Sequence, residues 1–392
     1  MKKIIILSMA TASLIYATNG DNMIGLGPES RALGGTGIAL GMGADSVFKN
    51  PAWLVDSKGL QGIFGATVFM PTVKARNTGM GSGEWGESKS DLSLIPEIAI
   101  TDHITDDLSY GFGMFGVSGM GVDYRNDDPI KGLSSMRTNF QYMRFVSSLS
   151  YKMGDLRLGA GASIAYGSLG MAALTPSDPN DPSTMAQRGG GTSEDFGVGF
   201  QVGAGYYMSD TITLGTYYQS QIDTEYEDVF DFNADGIYDA LKLSQPAEYG
   251  VGIAYNDGDF AITVDYRKIM WSEADGYDNF AWEDQDVIAL GVSYRMDDLT
   301  LRAGYNYAES PLKDIPAVTD MTQYQNVYFN MLGFPAVSDT HYTVGAGYQF
   351  TPKICLDVAY VYAPEVTEVS MLGLEASNEQ NSVSFAIHYK FD

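Results

Sequence analysis

The chain has 392 residues, a formal charge of −26 and one cysteine, Cys355. A single cysteine excludes an intramolecular disulfide framework, and an excess of 49 acidic over 23 basic side chains excludes nucleic acid as a partner. Beyond the first residues no apolar run is long enough for a transmembrane helix, which leaves a β-barrel as a way through a membrane.

Residues 1–17, "MKKIIILSMATASLIYA", carry two lysines, an apolar run from Ile4 to Ile15 and small residues leading to Ala17. This pattern predicts a secretory signal peptide cleaved after Ala17, since the run is too short to span a bilayer. Its removal takes away Lys2 and Lys3 and moves the charge to −28.

Residues 25–48 are glycine-laden and read as neither a good helix nor a good strand. They close on Lys49-Asn50-Pro51-Ala52-Trp53-Leu54. Asn50 is placed as an N-cap and Pro51 as the first helical residue, where its missing N–H costs nothing.

From Gly59 onward the period is two. In "LRLGAGASIAY", Leu156, Leu158, Ala160, Ala162, Ile164 and Tyr166 alternate with Arg157, Gly159, Gly161, Ser163 and Ala165; "FAIHYKF" near the C-terminus repeats the pattern. One apolar face and one small or charged face is what lipid on one side and a polar lumen on the other demand. Such segments fall at 59–73, 92–101, 108–124, 140–152, 156–169, 196–208, 212–226, 248–255, 260–271, 282–296, 299–308, 339–350, 354–364 and 381–391. The connections alternate. "DHITDD", "MGD", "SDT", "NDGD", "DD" and "TPK" are short, whereas 170–195, 227–247, 309–338 and 365–380 are long. Sorted loops and an even strand count predict an all-β, fourteen-stranded antiparallel transmembrane barrel. Tyrosines on the apolar face gather at two levels, as interfacial girdles do. The third segment is unusual, with Gly111, Gly113, Gly116, Gly119 and Gly121 inside one strand, a pattern that marks a bulge, a bend or close backbone approach.

Several constellations bear on chemistry. Arg144, Arg157, Arg267, Arg295 and Arg302 fall on the lumen face with Asp265 and Asp357. They read as an ion-pair network holding the wall or as receivers of a ligand carboxylate, for which a bidentate guanidinium is suited. Asp231, Asn233, Asp235 and Asp239, with Gly236 at the sixth position, have the spacing of a calcium loop, although Lys242 stands at the twelfth position where an EF-hand carries glutamate. The competing reading is a solvated Asn/Asp/Gly turn. His103, His341 and His388 have no serine or cysteine at a motif spacing, and no zinc or dinucleotide fingerprint appears, so no enzyme is expected.

The segment "NGDNMIGLGPESRALGGTGIALGMGADSVFKNPAWL", with its Asp45-Ser46 step and Asn50-Pro51-Ala52 ending, resembles the hatch of the FadL/TodX family of outer-membrane transporters for hydrophobic compounds. "DYRKIMWSE" (Asp265–Glu273), "VIALGVSYRMDDLTLRAGYNYAESPL" (Val287–Leu312) and "TVGAGYQFTPKICLDVAYVY" (Thr343–Tyr362) extend the resemblance. It implies a signal peptide (1–17), a hatch (18–58) and a barrel (59–392) in the outer membrane of a Gram-negative bacterium. It further implies passive transport of long-chain fatty acids or hydrocarbons, captured at extracellular loops and released sideways through a kink in strand three at Ser118, Gly119, Met120 and Gly121. The partners so implied are a hydrophobic ligand, outer-membrane lipid and the barrel-assembly machinery, and the protein is expected as a monomer. The competing functions are a general porin for polar solutes and a structural or adhesive surface barrel.

Overall fold

The computed structural model describes residues 18–178, 181–233, 235–312 and 321–391; the expected signal peptide, 1–17, lies outside the described residues. Fourteen strands form a ring: β1 (Gln61–Asn77), β2 (Ser93–Thr105), β3 (Leu108–Asp123), β4 (Arg137–Met153), β5 (Leu156–Asp178), β6 (Asp181–Tyr207), β7 (Ile212–Gln219), β8 (Glu248–Asn256), β9 (Phe260–Ile269), β10 (Gln285–Met296), β11 (Leu299–Ala308), β12 (Thr340–Thr351), β13 (Ile354–Val369) and β14 (Leu374–Lys390). Each pairs antiparallel with its neighbours. β14 closes on β1 from Leu374↔Asn77 to Lys390↔Gln61, so the sheet has no free lateral edge.

The alternation read from the sequence sets the two faces of the wall. Leu158 and Ile164 of β5 point outward, 42% and 54% exposed, while Ser163 between them is buried. The same holds for Phe385 and Ile387 against Ala386 in β14. Outward apolar side chains in every strand form the belt that a bilayer covers.

Two-residue connections at 106–107, 154–155, 297–298 and 352–353 lie at one end of the ring. Gly154 and Asp297 there take φ of 60° and 53°, as tight hairpin turns need. At the other end two expected loops are strand instead. β5 and β6 stay paired through Ala172↔Gly189 and Thr175↔Ala186, and β13 and β14 through Val369↔Glu375. Outside the bilayer neither face meets lipid, so the alternation fades while the backbone ladder continues. The seventh strand, expected over 212–226, ends at Gln219; Glu225–Phe230 pairs instead with Asp239–Lys242 in a separate hairpin. The long connection before β12 carries a helix (Met321–Tyr328) and a π turn at Phe329–Gly333.

Residues 18–58 are almost wholly buried and contain short helices at Gly27–Ala32, Ser46–Lys49 and Pro51–Asp56. Arg31 bonds Ser384 of β14 at 2.9 Å and also meets Thr67 of β1 and Glu97 of β2. Asp265 of β9 accepts from the Gly37 and Ile38 amides at 2.8 and 2.9 Å. Asn306 of β11 and Ser150 of β4 bond Gly34 O and Ala52 O. A segment bonded to inward-facing groups all round a closed ring occupies its lumen.

Candidate functional site

The turn at Lys49–Leu54 is seated against wall glycines. Asn50 caps the 3-10 turn, its Oδ1 accepting from Ala52 N at 3.1 Å, with Pro51 in the first turn as the sequence predicts. Its Nδ2 donates to Ile38 O at 2.7 Å and to Ala204 O of β6 at 3.2 Å. Trp53 Nε1 donates to Ile38 O as well, at 2.8 Å. A Cβ on Gly159 would run into the Pro51–Ala52 peptide, and one on Gly203 into the Asn50 amide. Only glycine lets the two backbones approach this closely.

Strand β3 departs from the regular wall. It pairs with β2 only as far as Glu97↔Phe115. Beyond that point Ser93–Pro96 keep their β1 partners but have none in β3. Against β4 the register slips between Gly116 and Ser118, so the break centres on Val117, just before the position read from the glycines. Residues 115–122 are buried without alternation, because the strand has turned away from lipid into the lumen. The vacated ladder is met by the N-terminal segment: Asn22 pairs with Ser118, and Gly119 N donates to Asp21 O at 3.1 Å. Pro96 lies on the unpaired side of β2, where a missing N–H is tolerated.

The five arginines do different things. Arg157 pairs with Asp56 (2.8 Å), Arg267 with Glu248 (2.9 Å), and Arg302 with Glu29 (2.8 Å) and Asp357 (2.5 Å). These three tie the N-terminal segment and the wall together. Arg295 is exposed beside the short 297–298 turn. Arg144 is 1% exposed and bonds only Ser163 Oγ, at 2.7 Å, among the described residues; its Nε and Nη1 meet no acceptor. Its guanidinium lies 4.7 Å from the Phe48 ring and borders a cavity of about 30 Å³ with Lys49, Val117, Gln245, Glu248 and Arg267. Lys49 Nζ is 3.7 Å from Glu248 Oε1, and burial, reinforced by Arg267, pushes the lysine down to about 8. Lys49 and Arg267 both pair with that carboxylate, while Arg144 pairs with none among the described residues. Lys49, Glu248, Arg31 and Glu97 were missed from sequence. They sit in unrelated segments and share no spacing.

At the long-loop end, Phe230, Phe280, Phe329 and Phe334 cluster across three loops, with Phe230–Phe329 and Phe280–Phe334 centroids 5.4 and 6.3 Å apart. Trp271, Tyr277 and Trp282 pack on one another, their centroids 4.6 to 5.0 Å apart. The oxygens at the calcium-like spacing serve the loop itself. Asp231 accepts from Asp235 N and Gly236 N and pairs with Arg188 at 3.2 Å; Asn233 accepts from Asp235 N and Asp239 from Phe232 N. Among the described residues no group of three or more acidic, histidine or cysteine side chains is placed to hold a metal. A calcium ion there would have to displace these bonds. His103 bonds Ser57 O (2.6 Å) and the buried Ser109 Oγ (2.9 Å), tying the end of the N-terminal segment to the wall.

A closed ring of fourteen strands, belted by apolar side chains and with its turns sorted by length, defines an integral outer-membrane β-barrel. The family model described as outer membrane protein transport protein (OMPP1/FadL/TodX) matches residues 5–390, and the chain belongs to that family. It is 25% identical over 201 residues to a 47 kDa outer membrane protein of Pasteurella multocida, covering 43% of this chain and 44% of that one. It is 24% identical over 213 residues to outer membrane protein P1 of Haemophilus influenzae, covering 48% and 43%. The chain thus spans less than half the length of these two relatives. The crystal structure of a Pseudomonas aeruginosa FadL homologue superposes with a TM-score of 0.74 at 18% identity, over 95% of this chain and 100% of that one. That of the Pseudomonas putida toluene transporter TodX gives 0.73 at 21% identity, over 95% and 100%. At such identities the likeness concerns the fold.

Proposed function

We propose that the protein carries hydrophobic molecules, long-chain fatty acids or aromatic hydrocarbons, passively across the outer membrane, with residues 18–58 acting as the hatch of the barrel. The ligand is captured among the aromatic side chains of the long extracellular loops, held behind β3 near Arg144, and released sideways into the membrane. One observation carries this reading: the wall ladder between β2 and β3 is interrupted beyond Glu97↔Phe115, and the N-terminal segment, through Asp21 and Asn22, meets β3 at the interruption. A lateral exit also follows from the thermodynamics of the cargo. Release into water would lose about 0.8 kcal/mol per methylene, whereas passage through the wall keeps the chain in an apolar medium. The filled lumen argues against an open porin. Arg144, with two buried nitrogens that meet no acceptor among the described residues, is the arginine suited to a fatty acid carboxylate.

The test is uptake of labelled palmitate and toluene into proteoliposomes, together with mass spectrometry of lipids and hydrocarbons that co-purify in mild detergent. Saturable uptake of either probe without steady ion conductance is expected. Large steady ionic steps in planar bilayers, with neither probe taken up, would sink the reading.

A further inference from the structure

At the long-loop end, the outer face of β4 and β5 borders a cavity of about 320 Å³ whose lining includes Arg125, Arg137, Ala172, Leu174, Gln187 and Gly190. No acidic side chain lines it, in a chain with 49 acidic against 23 basic ones. Arg137 opens β4 and shares the face of Phe145 and Leu149, 43% and 52% exposed, whereas Thr138, Phe140 and Tyr142 are buried on the other face. The ladder to β5 runs without a slip from Arg137↔Ala172 to Met153↔Leu156, so Arg137 and Ala172 stand on the outward side of the wall. Arg125 is fixed by Asp123, its Nε and Nη2 donating to the two carboxylate oxygens at 2.9 and 2.6 Å. Arg137 lies opposite Asp123 in the β3–β4 ladder, yet its side chain makes no hydrogen bond or ion pair within reach among the described residues. One carboxylate beside two guanidinium groups leaves an excess of positive charge at the cavity.

We propose that this cavity binds a phosphate group of the lipopolysaccharide in the outer leaflet, whose acyl chains then run down the wall below. The site requires the outer-membrane barrel and is independent of the transport reading. Guanidinium groups suit a phosphate because their planar fork offers paired N–H donors to its oxygens. Height favours a lipid over a free ion. Along β4 from Arg137, Met143 pairs with Tyr166, whose ring packs on Phe196 at 5.3 Å in the outer aromatic girdle. At about 3.3 Å per residue and a tilt of about 45°, Arg137 stands roughly 14 Å above that girdle, at the level of sugars and phosphates rather than acyl chains. Below it on the same face come the polar Asn139 and Gln141, and then the exposed apolar track of Phe145, Leu149, Ile164 and Leu158. A phosphate carried on a lipid meets the arginines and the track together; a free phosphate meets the arginines alone.

Equilibrium binding of fluorescently labelled rough-form lipopolysaccharide to the purified barrel in mild detergent tests the site, with the same lipid stripped of its phosphates as the control. The wild type is expected to bind the phosphorylated lipid at least tenfold more tightly than the stripped one, and the preference should shrink as salt rises. Arg137→Gln is expected to remove most of that preference. Arg137→Lys, which keeps the charge but loses the fork, should restore part of it. Asp123→Asn, which takes away the competing carboxylate, is expected to tighten binding severalfold. Heat-modifiable mobility on gels verifies that each variant is a folded barrel. Equal binding of the two lipids by the wild type, or an unchanged preference in an Arg125→Gln, Arg137→Gln double variant, would overturn the site. Inorganic phosphate that displaces the lipid at matching concentrations would overturn the lipid assignment in favour of a free anion. None of these outcomes depends on whether palmitate or toluene is taken up.

Discussion

Asn50 uses both ends of its amide, the oxygen to cap Ala52 and the nitrogen to satisfy Ile38 O and Ala204 O in a place water does not reach. Asn50→Ala leaves those carbonyls unmet, at about 1–3 kcal/mol for each buried group. The barrel, held by its own ladder, is expected to assemble while the N-terminal segment becomes cleavable by added protease. Asn50→Asp keeps the cap but aims a charge at carbonyl oxygens, and it should behave no better. Asp45 is a second residue whose surroundings decide its state. Among the described residues neither of its oxygens has a hydrogen-bond partner, and burial, with Glu97, Glu29 and Asp357 nearby and His388 opposing, pushes its carboxyl up to about 8. A folded-state value above the unfolded one means stability is full below the unfolded value near 3.8 and is lost as pH rises through about 8. Thermal unfolding is expected to shift downward between pH 6 and 9 in the wild type and to shift less in Asp45→Asn. At Arg144, a bond to a charged ligand group contributes about 1.5–3 kcal/mol, so Arg144→Gln should weaken palmitate binding by roughly ten- to a hundredfold. Toluene, lacking a carboxylate, should lose far less in a fluorescence competition assay.

At the scale of the element, β2 and β3 together make the interruption. The glycines of β3 announced an irregular strand, and the structure places the slip at Val117 among them. Pro96 on β2 carried no comparable signal, because a proline in an alternating segment reads simply as an edge residue. Its meaning depends on which neighbour it fails to bond. Pro96→Ala restores an N–H to the open side of the gap. It is expected to slow palmitate uptake into proteoliposomes while leaving protein yield and heat-modifiable mobility unchanged. Faster or equal uptake would show that the edge proline has no part in release. A valine at Gly121 would strike the Thr138 carbonyl of β4, so changes on that strand disturb its outer neighbour rather than straighten it.

The molecule as a whole is a wall and a filling that depend on each other unequally. The ring closes through backbone bonds between neighbouring strands, independent of what lies inside. The N-terminal segment has no long helix or sheet of its own and takes its shape from the wall, through Arg31, Asn50, Asp265 and Arg302 partners on opposite sides. Removing residues 18–58 after the signal region should therefore leave a barrel that inserts into bilayers and conducts ions steadily, whereas the intact protein stays nearly silent in the same recording.

Strand number, wall orientation and loop sorting were legible because lipid imposes a two-residue period on every spanning segment, and that period is local. Asn50-Pro51 could likewise be read as a cap, since capping involves neighbours in sequence. The pairing of Arg31 with Glu97, the choice of Arg144 among the five arginines as the buried one without a carboxylate among the described residues, and the meeting of Asp21 with Tyr277 could not be read. Each joins residues far apart along the chain, whose proximity exists only once the ring has closed around the N-terminal segment. The alternating sequence by itself determined the barrel; closure of the ring decided which buried charges found a partner and which did not.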